Sequence, residues 1–418
     1  MTDDLLNLQS KVNLEQFDIS VLAKDKIREM FRSGKLPTPE LLVEEILLRA
    51  VKSGANDIHF EPSENELRVR LGYEGTLRRL VNLPREIWDN LANILKTRAS
   101  LNAIEKKKSQ EGRFTAVFAS HQFDVRVSTV PVMTGERLLL HLLDKTARVA
   151  SVQELGFSNE NLQRFRRILG RPYGLILLTG PSSSGRTTTM NAAVGEIQSP
   201  EKNVITIEDP IEYKLDFASQ VQVTHDKSYT FADAFLSILR QAPNIIVVGE
   251  IRDAETGLIA AEAAATGHLI LTTMLSGDAL GAIPRLQNLG VTPYWIASSL
   301  TGIVYQQLIR RICEACKEEY TPSTEELAAL SGVIPSVTKL HRGKGCVACK
   351  NSGYVGLTAI HEIVVMDDRM KDLIYQQATL PQMKEAAAAS GFESIKLDAA
   401  RKVVAGISTV AEFIRALG

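Results

Sequence analysis

Apolar side chains recur at helical spacing along residues 40–53, directly after Pro37, Thr38 and Pro39 interrupt a modest helical preface over residues 1–35. The pattern then changes to period two. Leu67, Val69 and Leu71 alternate with Arg68 and Arg70 inside the stretch Ile58 to Leu80, the signature of a half-buried strand. A second alternating stretch, Gln122 to Thr129, follows Glu111-Gly112-Arg113, and Thr134-Gly135 marks a turn before Leu138 to Leu143. Helix, strands, helix, strands reads as a small α+β domain ending near Asp144.

Lys145 to Gln153 reads as a connector. From Leu155 onward short apolar runs alternate with helical signals, as in a parallel α/β sheet. Leu175–Thr179, Asn203–Ile207, Ile245–Val248 and Leu269–Thr273 are the expected strands, each short and bounded by Gly or Pro. Beyond residue 305 a short irregular stretch carries the cysteines, and Asp368 to Gly418 reads as several short helices.

Composition narrows the class without changing this picture. The chain has 418 residues with 44% hydrophobic and 23% charged positions, which fits two or three soluble globular domains and excludes disordered or collagen-like chains. Lysine plus arginine (48) balance aspartate plus glutamate (49), so nucleic acid is not an expected partner. The first residues, Met1 to Arg32, lack the basic start and apolar run of a signal peptide, and no apolar segment approaches a membrane span. The expected location is cytosolic, with membrane association only through partners.

Gly180-Pro181-Ser182-Ser183-Ser184-Gly185-Arg186-Thr187-Thr188-Thr189 follows an apolar strand and opens a helix. That is the setting of a phosphate-binding loop, where two glycines let the backbone wrap an anion and the helix N-terminus faces it. Thr187 is placed to offer a hydroxyl to Mg²⁺. Arg186 occupies the position where this loop normally has lysine, exchanging a compact ammonium for a longer planar fork. Glu208, Asp209 and Glu212 follow the second strand, and Glu250 ends the third, as a Walker B acid does. Taken singly, each acid serves equally well as a helix cap or solvated turn; several strand ends with matched chemistry point to a nucleotide site at the carboxyl edge of the sheet.

Four cysteines form two pairs, Cys313/Cys316 and Cys346/Cys349, with twenty-nine residues between the pairs. Four thiolates at this spacing predict a closed structural zinc site, with a thioredoxin-like redox pair as the competing reading. Trp88 and Trp295 read as packing residues. Arg310-Arg311 and Lys106-Lys107-Lys108 are basic clusters that can meet acidic lipid or a membrane-anchored partner, or lie on a solvated face.

Over roughly residues 40 to 410 the chain resembles the secretion ATPases of type II secretion and type IV pilus assembly. The resemblance rests on Ala55 to Pro62, Gln110 to Arg113, Arg126 to Pro131, the phosphate loop, Glu208-Asp209-Pro210, Gly249 to Asp253, Thr266-Gly267-His268 and the cysteine pairs. It implies an α/β fold in which a RecA-like phosphate-loop domain with a parallel-rich sheet follows a small PAS-like α+β domain, with a four-cysteine zinc subdomain and C-terminal helices. The implied divisions are an N-terminal helical segment over 1–36, the PAS-like domain over 37–146, a linker over 147–154, the ATPase core over 155–305, the zinc subdomain over 306–365 and helices over 366–418.

By position, Glu208 matches the acid that positions the attacking water, Glu250 the acid at Mg²⁺, His268 the first histidine of the His box, and Arg126 an arginine that reaches the nucleotide. Gly180, Ser182, Ser183, Ser184, Gly185, Arg186, Thr187 and Thr188 would hold ATP. The implied assembly is a homo-hexamer, or a mixed ring with a paralogue, at the inner face of the bacterial inner membrane beside a platform protein. The zinc knuckle argues for assembly or secretion rather than retraction. Four departures touch phosphate chemistry: Arg186 for lysine, Ser183 for glycine, Leu275 for a second histidine, and His141 for a first-domain arginine. They leave two expectations, a hydrolysing motor or an attenuated nucleotide-binding scaffold.

Overall fold

The computed structural model describes residues 35, 37–73, 75–118, 121–144, 149–223, 229–334 and 337–418. The expected helical preface over 1–36 lies, apart from Lys35, outside them. The chain divides into two compact units, Met1–Ala147 and Arg148–Gly418.

In the first unit, helix α1 (Pro39–Ser53) starts with proline, whose missing N–H is harmless in the first turn, and ends at Gly54 in the left-handed conformation (φ 69°). Six strands follow: β1 (Asp57–Pro62), β2 (Glu66–Tyr73), β3 (Thr76–Pro84), then helix α2 (Trp88–Arg98), then β4 (Gln110–Phe118), β5 (His121–Val132) and β6 (Gly135–Asp144). They form one sheet in the order β3-β2-β1-β6-β5-β4, and every pairing is antiparallel. Leu67, Val69 and Leu71 are buried in a core with Leu42, Ile46 and Trp88, while the alternate positions face away, as the period-two pattern requires. Trp88 stacks on Phe60 and donates its indole N–H to the Glu136 carbonyl, a packing role. Lys96 is fully buried and pairs with both carboxylate oxygens of Glu136 at 2.9 Å.

The second unit is built on a seven-stranded sheet. Helix α3 (Asn159–Leu169) leads into β7 (Gly174–Thr179), α4 (Arg186–Ile197), β8 (Val204–Glu208), β9 (Ser219–Gln222), α5 (Phe231–Leu239), β10 (Ile245–Val248), α6 (Ala254–Ala265), β11 (Leu269–Met274), α7 (Ala282–Asn288), α8 (Pro293–Ser299) and β12 (Leu300–Ile312). The strand order is β15-β12-β7-β11-β10-β8-β9, where β15 spans Tyr354–Val365. All neighbours run parallel except β15, which is antiparallel to β12. Leu175 and Leu177 pack on one face and Ile176 and Leu178 on the other, which is why β7 is continuously apolar rather than alternating. Residue 305, taken from the sequence as the end of the core, lies inside β12. The sheet continues through β12 and β15 because these strands flank an excursion that leaves and rejoins it.

That excursion holds the cysteines, a short hairpin of β13 (Lys317–Tyr320) and β14 (Leu340–Gly343), and helix α9 (Thr324–Leu330) between them. Helices α10 (Asp368–Tyr375), α11 (Leu380–Ala389), α12 (Ile395–Val404) and α13 (Val410–Leu417) close the chain. Arg310, half of a basic pair read as a possible membrane contact, is committed inside the fold. Its backbone N–H and guanidinium donate to Glu412 at 2.6–2.9 Å, and its guanidinium lies 4.2 Å from the Tyr354 ring. Among the described residues no helix is long and apolar enough to cross a membrane.

Candidate functional site

The phosphate loop runs from the carboxyl end of β7 into α4. Gly180 adopts φ 149°, and a Cβ there would meet the Gln306 carbonyl oxygen at 2.3 Å, so only glycine fits. Gly185 turns into the helix at φ 82°. Ser183, where glycine is usual, sits at φ 60° in the left-handed region, a strain of about 1 kcal/mol for a side-chain-bearing residue. Ser182 and Ser183 are exposed, Ser184 is buried, and Thr187 and Thr188 are half-buried in the first turn of α4.

Arg186 folds back on its own loop. Its guanidinium donates to the Gly180 carbonyl and, at 2.7 Å, to the Pro181 carbonyl. Burial lowers its pKa, while the carboxylates of Glu250 and Glu212 push the other way, which places both acids in its electrostatic neighbourhood. Gln306, from the middle of β12, braces the loop by donating to the Ser184 carbonyl at 2.6 Å. The sequence reading missed this residue. Its signal was a pair of glutamines, Gln306 and Gln307, breaking an otherwise apolar strand.

Glu208 ends β8 at the same sheet edge and is buried. It accepts hydrogen bonds from Thr206 Oγ1 at 2.7 Å and from Gln220 Nε2 at 2.9 Å. Glu250 follows β10 and accepts from Arg252 Nε at 2.8 Å. Parallel pairing of β7, β11, β10 and β8 thus brings the loop, Glu208 and Glu250 to one carboxyl edge.

His268 is not among them. It precedes β11, whose first residue Leu269 pairs with Gly174 at the start of β7, so it stands at the opposite edge, about 20 Å away at 3.3 Å per residue. There its carbonyl accepts from Gly174 N–H and its Nδ1 faces the Ala263 carbonyl at 3.1 Å. Leu275, just beyond β11, is the position on the carboxyl side. Strand direction therefore sets His268 apart from the phosphate loop, Glu208 and Glu250 within this unit.

Arg126 belongs to the first unit. It lies on β5 between Arg113 on β4 and His141 on β6, is exposed, and pairs with Glu111 at 2.8 Å. His141 is paired with Asp57 at 2.6 Å, and His59 with Arg137 at 2.9 Å, which gives both histidines hydrogen-bonding roles within this unit.

Cys313, Cys316, Cys346 and Cys349 converge, with all four sulfurs within 4.8 Å of one another. Sulfur separations of 3.9, 3.8 and 3.7 Å exclude disulfides. They match the edge of about 3.8 Å that a tetrahedron with 2.3 Å metal–sulfur bonds requires. Burial raises the Cys349 thiol pKa, but N–H donation from Cys346 and Gly353 outweighs it and holds the thiol down at about 6; burial leads the causes that push Cys316 up to about 12. Backbone donors aimed at one sulfur are what a thiolate shell needs. Gly343 and Gly353 pass so closely that a Cβ on Gly343 would meet the Gly353 carbonyl oxygen at 2.1 Å, fixing the turn that presents the second pair.

Comparisons with known proteins agree with this geometry. The profile of the family described as type II/IV secretion system protein matches residues 33–415. The type II secretion system protein E of Pseudomonas aeruginosa is 41% identical over 375 residues, covering 90% of this chain and 74% of its own length. The type IV pilus assembly ATPase PilB of Thermus thermophilus is 37% identical, covering 95% of this chain and 46% of its own. In structure, the Legionella pneumophila ATPase DotB covers 91% of this chain and 95% of its own at TM-score 0.65 and 19% identity, a likeness of fold. The pilus retraction motor PilT covers 91% of this chain and 97% of its own at TM-score 0.60 and 22% identity. With a phosphate loop and two acids at one edge of a parallel-rich sheet, and a match over nearly its whole length, the chain belongs to the type II/IV secretion system protein family.

Proposed function

We propose that the chain is a Mg²⁺-dependent ATPase motor subunit that powers assembly of a type IV pilus or a type II secretion pseudopilus. The observation that carries this is the phosphate loop with Glu208 and Glu250 on the same carboxyl edge. The loop amides at the start of α4 bind the phosphates, with Ser182, Ser183, Ser184, Gly185 and Thr188 shaping the cradle. Thr187 and Glu250 would hold Mg²⁺, which would supply positive charge to offset that of the phosphates. Glu208, held by Thr206 and Gln220, orients the attacking water. Arg126 is the proposed cation for the nucleotide; the antiparallel sheet that carries it, sharing one core with two helices, supports the PAS-like reading, as the phosphate-loop sheet supports the RecA-like one.

Zinc fits the four-thiolate shell and would close the knuckle between β12 and β15 without leaving a position for water. The subunit works as a hexamer or in a mixed ring, in the cytoplasm at the inner membrane, against a platform protein. Phosphate release by Glu250→Gln is expected to fall about a hundredfold or more with nucleotide binding retained; unchanged release overturns the motor reading.

One observation favours a slow version of this motor. Arg186 turns one guanidinium nitrogen back onto the Gly180 and Pro181 carbonyls of its own loop, which holds that nitrogen away from a bound phosphate.

A further inference from the structure

The second unit has a cavity of about 530 Å³ at the edge of its sheet opposite the phosphate loop. Its floor is Gly174 at the start of β7, Thr301 near the start of β12 and Val365 at the end of β15. Gly180 opens the phosphate loop six residues further along β7, about 20 Å away at strand rise. The two places are separate.

The walls are cationic. Arg164 and Arg167 on α3, and Arg171 just after it, share one flank, and Lys371 on α10 faces them. Among the described residues the side chains of Arg167, Arg171 and Lys371 have no ion-pair or hydrogen-bond partner, although Arg166 on the same helix is paired with Glu196 at 2.7 Å. Arg164 is bonded to the Gly391 carbonyl through one nitrogen, and its other terminal nitrogen is buried without a partner. Two acids oppose the four cations. Asp367 caps α10 through the Met370 N–H at 2.8 Å and accepts from Ser390 Oγ at 2.9 Å, and with Asp368 it still leaves the cations in excess.

Like charges converging on one concavity repel one another, an anionic occupant relieves that repulsion, and planar arginine forks suit phosphate oxygens. The volume lies in the range of small-molecule sites. Tyr173, half-exposed on the rim, offers a ring face, and Ser298 and Ser390 offer hydroxyls. We infer that this cavity is a second anion site, distinct from the ATP site, that takes a phosphate-bearing metabolite of about nucleotide size.

The test uses the full chain and inorganic pyrophosphate as probe. Arginines are modified with phenylglyoxal with and without millimolar pyrophosphate, and adducts at Arg164, Arg167 and Arg171 are quantified by mass spectrometry. Protection of about fivefold or more is expected at these residues, with exposed Arg342 as the control that does not change. The same protection is expected in Thr187→Val, which weakens only the phosphate-loop site, and its half-saturating concentration is expected to rise about tenfold in Lys371→Ala. Equal labelling with and without pyrophosphate overturns the proposal. Protection that follows protein concentration instead of pyrophosphate overturns it too, because it assigns the cations to a contact between copies.

Discussion

Replacing Glu412 with glutamine tests how the last helix is held to the sheet. The Glu412 carboxylate is fully buried and accepts from the Arg310 backbone and guanidinium and from Arg415 at 2.6–2.9 Å. Burial pulls its pKa upward, but the hydrogen bonds from Arg415 and Arg310 dominate and hold it at about 2, against an ordinary value of 4.5. At about 1.4 kcal/mol per unit the gap is worth roughly 3 kcal/mol. Arg415 is 43% exposed, so solvent screens part of this field, and about 2 kcal/mol is the figure to carry forward.

The folded-state pKa is depressed, so this stability is fully present above pH 4.5 and disappears as the pH falls toward 2. Urea unfolding followed by circular dichroism at a series of pH values reads both parts. Glu412→Gln is expected to be about 2 kcal/mol less stable than the parent at pH 7, with the difference narrowing below pH 4.5. A difference that stays constant down to pH 3, or one below about 0.5 kcal/mol at pH 7, refutes the argument.

Arg186→Lys is expected to raise steady-state phosphate release about tenfold, equivalent to 1.4 kcal/mol of barrier, because lysine presents a compact ammonium to the phosphates where Arg186 turns one guanidinium nitrogen back onto the Gly180 and Pro181 carbonyls; equal or lower turnover contradicts the attenuation reading. His268→Ala is expected to change turnover by no more than about twofold, since His268 stands at the far edge of the sheet, and a large loss would restore it to the catalytic set. Elemental analysis of the purified chain is expected to find one zinc per protein, and chelation to lower the melting temperature by several degrees; a metal-free preparation with the same melting curve counts against a structural zinc.

The parts of this molecule that were legible in its sequence share a physical cause. β7, β10 and β11 are short apolar runs because parallel strands are buried on both faces, and the glycines around the phosphate loop are demanded by backbone conformation. The cysteine shell was legible because ligand chemistry fixes both residue type and spacing. β12 and β15 were not, because they pair across a long excursion, and the polar residues Gln306, Gln307, Arg310 and Arg311 disguise β12 as a surface segment. Gln306 and Arg310 donate to partners distant in sequence, Ser184 and Glu412, which no local pattern announces. His268 entered the candidate set through the family resemblance alone; strand direction, which a motif does not carry, puts a residue that precedes a parallel strand at the edge away from the phosphate loop.

The cysteine knuckle does more than close a loop. Ile312 N–H, one residue before the first cysteine, bonds the Ile407 carbonyl, and Tyr354 OH, just after the second pair, bonds Thr409 Oγ1. Gly406 sits so close to His341 on β14 that a Cβ there would meet the His341 Nδ1 at 2.7 Å. The last two helices are thus seated on the frame that the thiolates hold, and Glu412 is the bolt between that frame and β12. A change that opened the cysteine cluster would therefore be felt at the far end of the chain, where the last two helices would lose one of their two seats and keep the other, the Glu412–Arg310 pairing to β12.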